Sequence, residues 1–478
     1  MSGRSLGTLS SPTASSVGRE RAKEGSRHGS DLDGGRAVSL HFGVFEVYGP
    51  QIGGTLSWPH PLSDSIDFAD PQHWVEIARI MDRTGYDFLF FADGFGYPIL
   101  GDDIALGAVE RGINFSGYDP AGLVPILMRE TTELGFVITA NTGVDHPVQL
   151  ARRFSTLDAI SNGRFGWNVV TGSSQNAVAE LFGHTEMVPH DVRYAIAAEY
   201  VELAKKYWEE SWSDDALVAD PVRGIYADRA GITRVTYDGE HYRSDGYFGA
   251  PPTRQRTPVI FQAGTSPAGR AFAATHAECV FVQATVPAHT ARNVAHIREV
   301  AAEQGREDPR IMSGLTVVVA ETSEEAHRLA AEFDAMQTDD VVATLYAGNT
   351  GIDLLALDPD LTLHQVLEAG GPVGQMGTSN IERFLGSNGA PAPTVREIID
   401  ELKGKGTRGF RIVGDPHEVA DGIESLAAET GLDGFLIEPV FGTRDIAAFG
   451  ELVLPILRER GRLADRVDGE TLRERMRR

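Results

Sequence analysis

The stretch His146-Pro147-Val148-Gln149-Leu150-Ala151-Arg152-Arg153-Phe154-Ser155-Thr156-Leu157-Asp158-Ala159-Ile160-Ser161-Asn162-Gly163-Arg164-Phe165-Gly166-Trp167-Asn168-Val169-Val170-Thr171-Gly172 encodes a helix, a stop and a strand. Pro147 suits a first helical turn, where its missing N–H goes unused, and Leu150, Phe154 and Leu157 fall on one face. Asn162-Gly163 ends the helix. The strand that follows runs into Asn168 and Thr171, and polar groups at a strand's C-terminal end are where α/β folds keep their ligands.

From Val38 onward the same step repeats: short β-branched or aromatic runs alternate with amphipathic helical runs, the pattern of a parallel sheet covered by helices. Strands are expected over Val38 to Val47, Asp87 to Asp93, Phe136 to Asn141, Arg164 to Thr171, Pro258 to Ala263, Cys279 to Ala284, Ile311 to Glu321 and Gly434 to Glu438. Helices are expected over His73 to Arg83, Ala121 to Glu133, Pro147 to Ile160, Arg193 to Glu209, Pro267 to His276, Ala291 to Glu303, Glu324 to Met336, Pro416 to Glu429 and Asp445 to Arg460. Eight strands with helical crossovers suggest a closed (β/α)8 barrel, yet Gly409 to Val413 is a ninth candidate that leaves the count open. Long interruptions fall over Tyr48 to Asp70, Phe95 to Asp119, Gly172 to Pro189, Trp212 to Thr257 and Gln337 to Lys405, and the four of them that follow strands or strand-helix junctions are expected to fold over the barrel mouth. Domain boundaries follow: a disordered tail over residues 1–36 and one barrel domain over 37–478, with an insertion at about 338–407.

The chain has 478 residues with 43 basic against 68 acidic, a net charge of −25, which argues against nucleic acid and anionic membranes as partners because like charges repel. Solubility is the plain reading of that charge. The single cysteine, Cys279, sits in the apolar run Cys279-Val280-Phe281-Val282 and reads as a small buried hydrophobe; a reducing, cytoplasmic setting is expected. No apolar stretch approaches the roughly 20 residues that span a bilayer.

Polar groups recur at strand ends. Asp93 closes Phe88-Leu89-Phe90-Phe91-Ala92 and Asn141 closes Phe136-Val137-Ile138-Thr139-Ala140; each either faces the mouth or caps the next turn. His190, Asp191, Arg193 and Tyr194 open a long helix. A helix N-terminus with a guanidinium is a natural phosphate site, and the competing reading is an N-cap at Asp191 with an ordinary salt bridge at Arg193. In Gln262-Ala263-Gly264-Thr265-Ser266-Pro267, Gly264 permits close backbone approach while Thr265 and Ser266 offer hydroxyls and N–H groups to a phosphate; a plain strand-to-helix cap uses the same residues. Each of His41, His60, His146, His184, His190 and His241 is more simply a packing or surface residue than a proton carrier. Gly404-Lys405-Gly406-Thr407-Arg408-Gly409 matches G-x-G-x-x-G but follows a helix and precedes a strand, the reverse of a dinucleotide site. No H-x-H pair or H-E-x-x-H motif supports a metal hydrolase.

Phe90-Phe91-Ala92-Asp93-Gly94, Asp191-Val192-Arg193-Tyr194, Gln262-Ala263-Gly264-Thr265-Ser266-Pro267-Ala268-Gly269-Arg270 and Gly414-Asp415-Pro416-His417-Glu418-Val419-Ala420-Asp421, taken with the opening stretch and in this order, resemble the bacterial-luciferase-like flavin monooxygenases of the nitrilotriacetate and dibenzothiophene-sulfone monooxygenase family. The resemblance runs from about Val38 to Arg475 and implies the (β/α)8 barrel, which breaks the tie over strand count. It also implies reduced FMN as cofactor, a C4a-peroxyflavin that oxygenates a small organic substrate with O2, and a homodimer or homotetramer. FMN presents a ring with amide-like edges and a phosphate, so it needs an apolar pocket, a few amide or carboxyl partners and a phosphate cluster. By resemblance Asp93, Asn141 and Asn168 are flavin contacts, with His190, Arg193, Tyr194, Gly264, Thr265 and Ser266 around the phosphate; Phe45, Trp58, Phe95 and Phe248 are the expected apolar walls. No nicotinamide fingerprint survives inspection, so a separate NAD(P)H:flavin reductase is expected to supply the electrons. Two other readings keep the barrel: a deazaflavin hydride-transfer enzyme and a flavin-binding barrel without turnover. His146 stands where many relatives carry an acidic residue, and that departure leaves the substrate unassigned.

Overall fold

Alternation along each strand sorts the side chains of this protein into two cores. A computed structural model describes residues 39–50, 56–100, 103–172, 176–264, 266–283, 286–368, 381, 384–385, 392–405 and 409–478; the expected tail, residues 1–36, lies outside the described residues. The main sheet contains β1 (His41–Val47), β2 (Phe88–Ala92), β3 (Gly135–Asn141), β4 (Phe165–Val170), β5 (Val259–Gln262), β6 (Cys279–Val282), β7 (Arg310–Val319), β8 (Phe410–Gly414) and β9 (Gly434–Glu438). In β2, Phe88, Phe90 and Ala92 join an inner cluster with Phe261, Phe281 and Met312, while Leu89 and Phe91 join the outer cluster under the helices. In β4, Trp167 and Val169 belong to that outer cluster, so Asn168 between them faces inward.

Every pairing in the main sheet is parallel, and β1 pairs with both β2 and β9 while β7 pairs with both β6 and β9, so eight strands close a ring in the order β1-β2-β3-β4-β5-β6-β7-β9. The barrel is closed. The ninth strand is real but stands outside the ring. Strand β7 is 10 residues long; Arg310–Ser313 pair with β6 and Met312–Thr316 with β9, and the far half, Leu315–Val319, pairs with β8. A strand longer than its ring partners leaves an unpaired edge beyond them, and β8 satisfies those backbone groups.

The crossovers are α1 (Pro71–Thr84), α2 (Pro120–Glu130), α3 (Pro147–Ser161), α4 (His190–Glu209), α5 (Pro267–His276), α6 (Pro287–Glu303), α7 (Ser323–Met336) and α8 (Pro416–Thr430). Five of them start with one device, a side-chain acceptor followed by proline: Asp70, Asp119, His146, Ser266 and Asp415 each accept from a first-turn N–H. Helix α4 begins at His190, not at Arg193, with Pro189 as its uncapped entry; Asp191 is therefore inside the first turn rather than an N-cap. The expected single helix over Asp445 to Arg460 is two helices, Thr443–Ala448 and Leu454–Glu459, joined by a π turn over Phe449–Val453. Pro455 is the cause, since it has no N–H for the carbonyl four residues back.

The described residues of the long interruptions include regular elements. Trp212 to Thr257 contains the antiparallel pairs Leu217–Asp220 with Ile225–Ala227 and Val235–Asp238 with Arg243–Gly246. The insertion after α7 carries helices Asp339–Thr350, Leu363–Glu368 and Val395–Lys405 around a core of its own that includes Tyr346, Ile352, Leu363, Phe384 and Ile398. Among the described residues no helix is long and apolar enough to cross a membrane.

One end of the barrel is shut. Leu472 and Met476 of the last helix join the inner cluster beside Val259, Cys279 and Met312, which lie at the starts of β5, β6 and β7. Leu472 N–H donates to the Gly163 carbonyl just before β4, and Arg473 donates to Glu278 just before β6. Among the described residues, the C-terminal ends of the strands are therefore the approach left to the interior.

Candidate functional site

At that open end, strands β2, β3, β4 and β5 are consecutive in the ring, so the polar groups they carry form one arc. Thr139 and Asn168 are register partners on β3 and β4 and both face inward. Asn168 Nδ2 donates to Thr139 Oγ1 at 3.0 Å, and Thr139 Oγ1 donates to the Phe91 carbonyl of β2 at 2.9 Å. The amide is thereby oriented, and its Oδ1 is buried with no hydrogen-bond partner among the described residues. An unpaired buried carbonyl costs about 1–3 kcal/mol, so this atom is arranged for something the protein alone does not supply.

Asn141 ends β3; its Oδ1 accepts from Gly143 N–H at 2.8 Å, which is the turn-capping reading, and its Nδ2 reaches toward Gly172. A side chain at Gly172 would place Cβ 2.9 Å from that Nδ2, in a backbone with φ of +85° that only glycine adopts freely. Asp93 follows β2 and accepts from Gly94 N–H at 2.8 Å. Its carboxyl is reachable by solvent, yet the protein packed around the recess pushes its pKa up to about 6, with the Asp119 charge adding to the rise.

The phosphate-type groups gather next to this arc. His190 Nε2 lies 3.3 Å from Ser266 Oγ, and the His190 and Tyr194 rings meet edge-on at 5.1 Å. Burial raises the Tyr194 pKa, opposed by hydrogen bonding with Ser266, Thr171 and Gln262 and by the Arg193 charge. Gly264 and Gly269 let the β5–α5 turn close: a Cβ on either would sit 2.8 Å from Tyr194 Oη. Arg193 Nη1 donates to the Val188 carbonyl at 2.9 Å, so the competing reading of an ordinary helix salt bridge gives way to a backbone contact. Burial holds the guanidinium pKa below its usual value, and Nε is buried without a hydrogen-bond partner among the described residues. Ser266 Oγ also accepts from Gly269 N–H at 3.0 Å, so its capping and ligand-facing roles coexist. Thr265 lies outside the described residues.

The apolar walls divide. Phe45 stacks on Phe90 at 5.4 Å in the inner cluster, and Phe95 meets Phe182 edge-on at 5.3 Å with about half of its surface open. Trp58 turns away from the barrel interior: Nε1 donates to the Arg111 carbonyl at 2.9 Å and its ring joins a satellite core with Leu56, Ala108 and Leu345. Phe248 is not at the mouth. It is buried in the outer core against Tyr207 of α4 at 5.1 Å, because the segment that carries it packs on the outside of the barrel. Thr139 and Phe182 were not singled out in the sequence, though Thr139 lies two residues before Asn141 on the same face; Thr171 and Gln262 stood at the expected strand ends without a role of their own.

The chain matches the family model described as luciferase-like monooxygenase over residues 49–434. It is 34% identical to the dimethyl-sulfide monooxygenase of Hyphomicrobium sulfonivorans over 88% of this chain and 86% of that protein. It is 32% identical to the long-chain alkane monooxygenase of Geobacillus thermodenitrificans over 88% of this chain and 90% of the relative. Among solved structures, a riboflavin lyase with modified FMN and its substrate riboflavin superposes with a TM-score of 0.84 at 37% identity, covering 92% of this chain and 95% of the other. On these matches the chain belongs to the luciferase-like monooxygenase family and is a flavin-dependent monooxygenase.

Proposed function

We propose that the chain is the oxygenating component of a two-component system: reduced FMN binds at the open end of the barrel, a separate NAD(P)H:flavin reductase supplies it, and a small organic substrate takes up one oxygen atom from O2. The observation that carries this reading is the pair of buried, unpartnered polar atoms on one rim, Asn168 Oδ1 and Arg193 Nε, each already oriented by another bond of the same side chain. A carboxamide suits a flavin's amide-like edge or its ribityl chain, and a guanidinium beside a helix N-terminus suits its phosphate. The relative from Aminobacter aminovorans named nitrilotriacetate monooxygenase component A supports the division of labour.

Bound reduced FMN supplies the electrons and the activation of oxygen. The chain's own residues do the rest. His190, Arg193, Tyr194 and Ser266, with Gly264 giving way to let them converge, hold the phosphate end, and Asn141 and Asn168 orient the polar edge. Phe45, Phe90 and Phe281 line the inner wall and exclude water that would otherwise discharge the activated oxygen. Asp93, with its pKa near 6, carries a proton at Oδ through mildly acidic pH and releases it near neutrality.

The test is aerobic incubation with reduced FMN and 18O2 across sulfides, sulfones, alkanes, aminopolycarboxylates and riboflavin, followed by mass spectrometry. A product heavier by one labelled oxygen is expected. Hydride transfer to or from a substrate with a deazaflavin, without oxygen uptake, would replace this reading with the deazaflavin one; FMN binding with no product from any compound would favour the barrel without turnover.

A further inference from the structure

A second concave site lies at the shut end of the barrel, far in structure from the rim that carries Asn168. It is a cavity of about 630 Å³ between the C-terminal ends of α4 and α5, the segment after α6, and the last helix. Its acidic residues are committed. Glu278 is held by two nitrogens of Arg473, Glu209 accepts from Thr257 N–H and Oγ1, Asp308 pairs with Arg298, and Glu307 pairs with Arg477. Of the basic side chains that line it, Arg473 and Arg477 are paired with these acids, Arg310 donates Nε to the Met476 carbonyl at 2.7 Å, and three others form no ion pair among the described residues. Lys205 forms no hydrogen bond or ion pair among the described residues, and Arg306 spends only Nη1, on the Ala274 carbonyl at 2.8 Å. His276 is 7% exposed, and its ring nitrogens form no hydrogen bond among the described residues.

From this placement we infer that the cavity is a binding site for the phosphate group of a small phosphate ester, held by Lys205, Arg306 and His276. The donors come from three elements, α4, the segment after α6, and α5, and all three line the one cavity. Lys205 brings a compact charge with three N–H donors, Arg306 keeps Nε and Nη2 for a forked contact, and His276 adds a ring nitrogen. A phosphate monoester brings about −1.5 to −2 charge and three strong acceptors to match them. The volume exceeds what a bare ion needs and falls in the range of small-ligand sites, leaving room for the esterified group. Electrostatics agree. Burial holds both Lys205 and His276 below their ordinary pKa values, the Arg306 charge lowers both further and Lys205 adds to the fall at His276, while Glu278 and Glu209 offset part of it at Lys205; an anion beside the cations would act in the same direction as those carboxylates.

The test is calorimetric titration of the full chain, in the presence of FMN, with inorganic phosphate, alongside Lys205→Met, Arg306→Gln and Arg193→Ala. One phosphate per chain is expected, weakened about tenfold or more in Lys205→Met and in Arg306→Gln, the loss of one charge-assisted bond, and unchanged in Arg193→Ala. In the 1H–15N spectrum, phosphate should shift the His276 ring signals. Phosphate affinity that survives both Lys205→Met and Arg306→Gln overturns the assignment, as does no binding by the wild type or binding lost in Arg193→Ala, which would place the ion at the flavin end. Equal competition by acetate overturns the phosphate preference. FMN affinity, measured in the same variants, keeps the outcome separate from the proposal for the barrel mouth.

Discussion

The clamp that the last helix makes under the barrel and the rim at the strand ends handle buried polarity differently. Around the last helix, apart from the cavity lined by Lys205, Arg306 and His276, charge is mostly locked into pairs: Arg475 and Glu470, each 4% exposed at its side chain, meet at 2.8 Å, and Arg478 binds the same carboxylate. Asp87 there accepts from the Phe42 N–H and lies 3.4 Å from His41. Around the strand ends, side chains of the same kinds are only partly satisfied, with Asn168 Oδ1 and Arg193 Nε left over. A group that is paired within the chain stabilises the fold, and one that is oriented but unpaired is available to a ligand. The difference predicts which substitutions unfold the protein and which only empty its site.

The largest effect should come from the shut end. Arg475→Met leaves Glu470 with less of its partner network inside the protein, and stability should fall by about 3–5 kcal/mol in urea denaturation, with FMN affinity of the folded fraction unchanged. A loss below about 1 kcal/mol would mean that the network does not clamp the last helix. At the open end, Arg193→Ala should weaken FMN binding by about 1.5–3 kcal/mol with little change in melting temperature; unchanged affinity removes Arg193 from the phosphate site. Asn168→Ala should cost FMN about 1 kcal/mol and stability less than that, because its oxygen receives nothing from the chain. An equal loss of stability would show that the Thr139 bond, not the free oxygen, is what the amide is for.

The smallest effect is a pH dependence. Asp93 has a folded pKa near 6 against an ordinary 3.8, so the folded state binds a proton more tightly than the unfolded one between those values. The penalty of its charge is absent below the ordinary pKa, grows as pH rises, and is complete above about 6. Asp93→Asn should therefore be the more stable protein at neutral pH and match the wild type in stability at acidic pH, a comparison made by thermal melts across pH. Solvent access to the carboxyl keeps the difference small.

Much of this was legible before the fold. The eight ring strands and their crossover helices follow from hydrophobic period and from the repeated acceptor-proline starts, signals that operate within a few residues. Asp93, Asn141 and Asn168 were visible as polar groups at strand C-termini, where barrel chemistry gathers. Strand β8 was visible as a strand, but nothing local says that its partner is the overhang of β7 rather than a place in the ring. Phe248 misled for a related reason: an aromatic side chain declares that it will be buried, not on which side of the sheet.

By itself the sequence determined the alternation, the helix starts, the location of polar residues at strand ends and the family to which they point. Only the tertiary structure decided that Arg193 carries a backbone contact instead of a salt bridge, that Asn168 keeps a free oxygen, and that Lys205, Arg306 and His276 share a cavity. Local rules bias a residue through its neighbours along the chain, whereas whether a buried group finds a partner depends on residues brought close by ring closure.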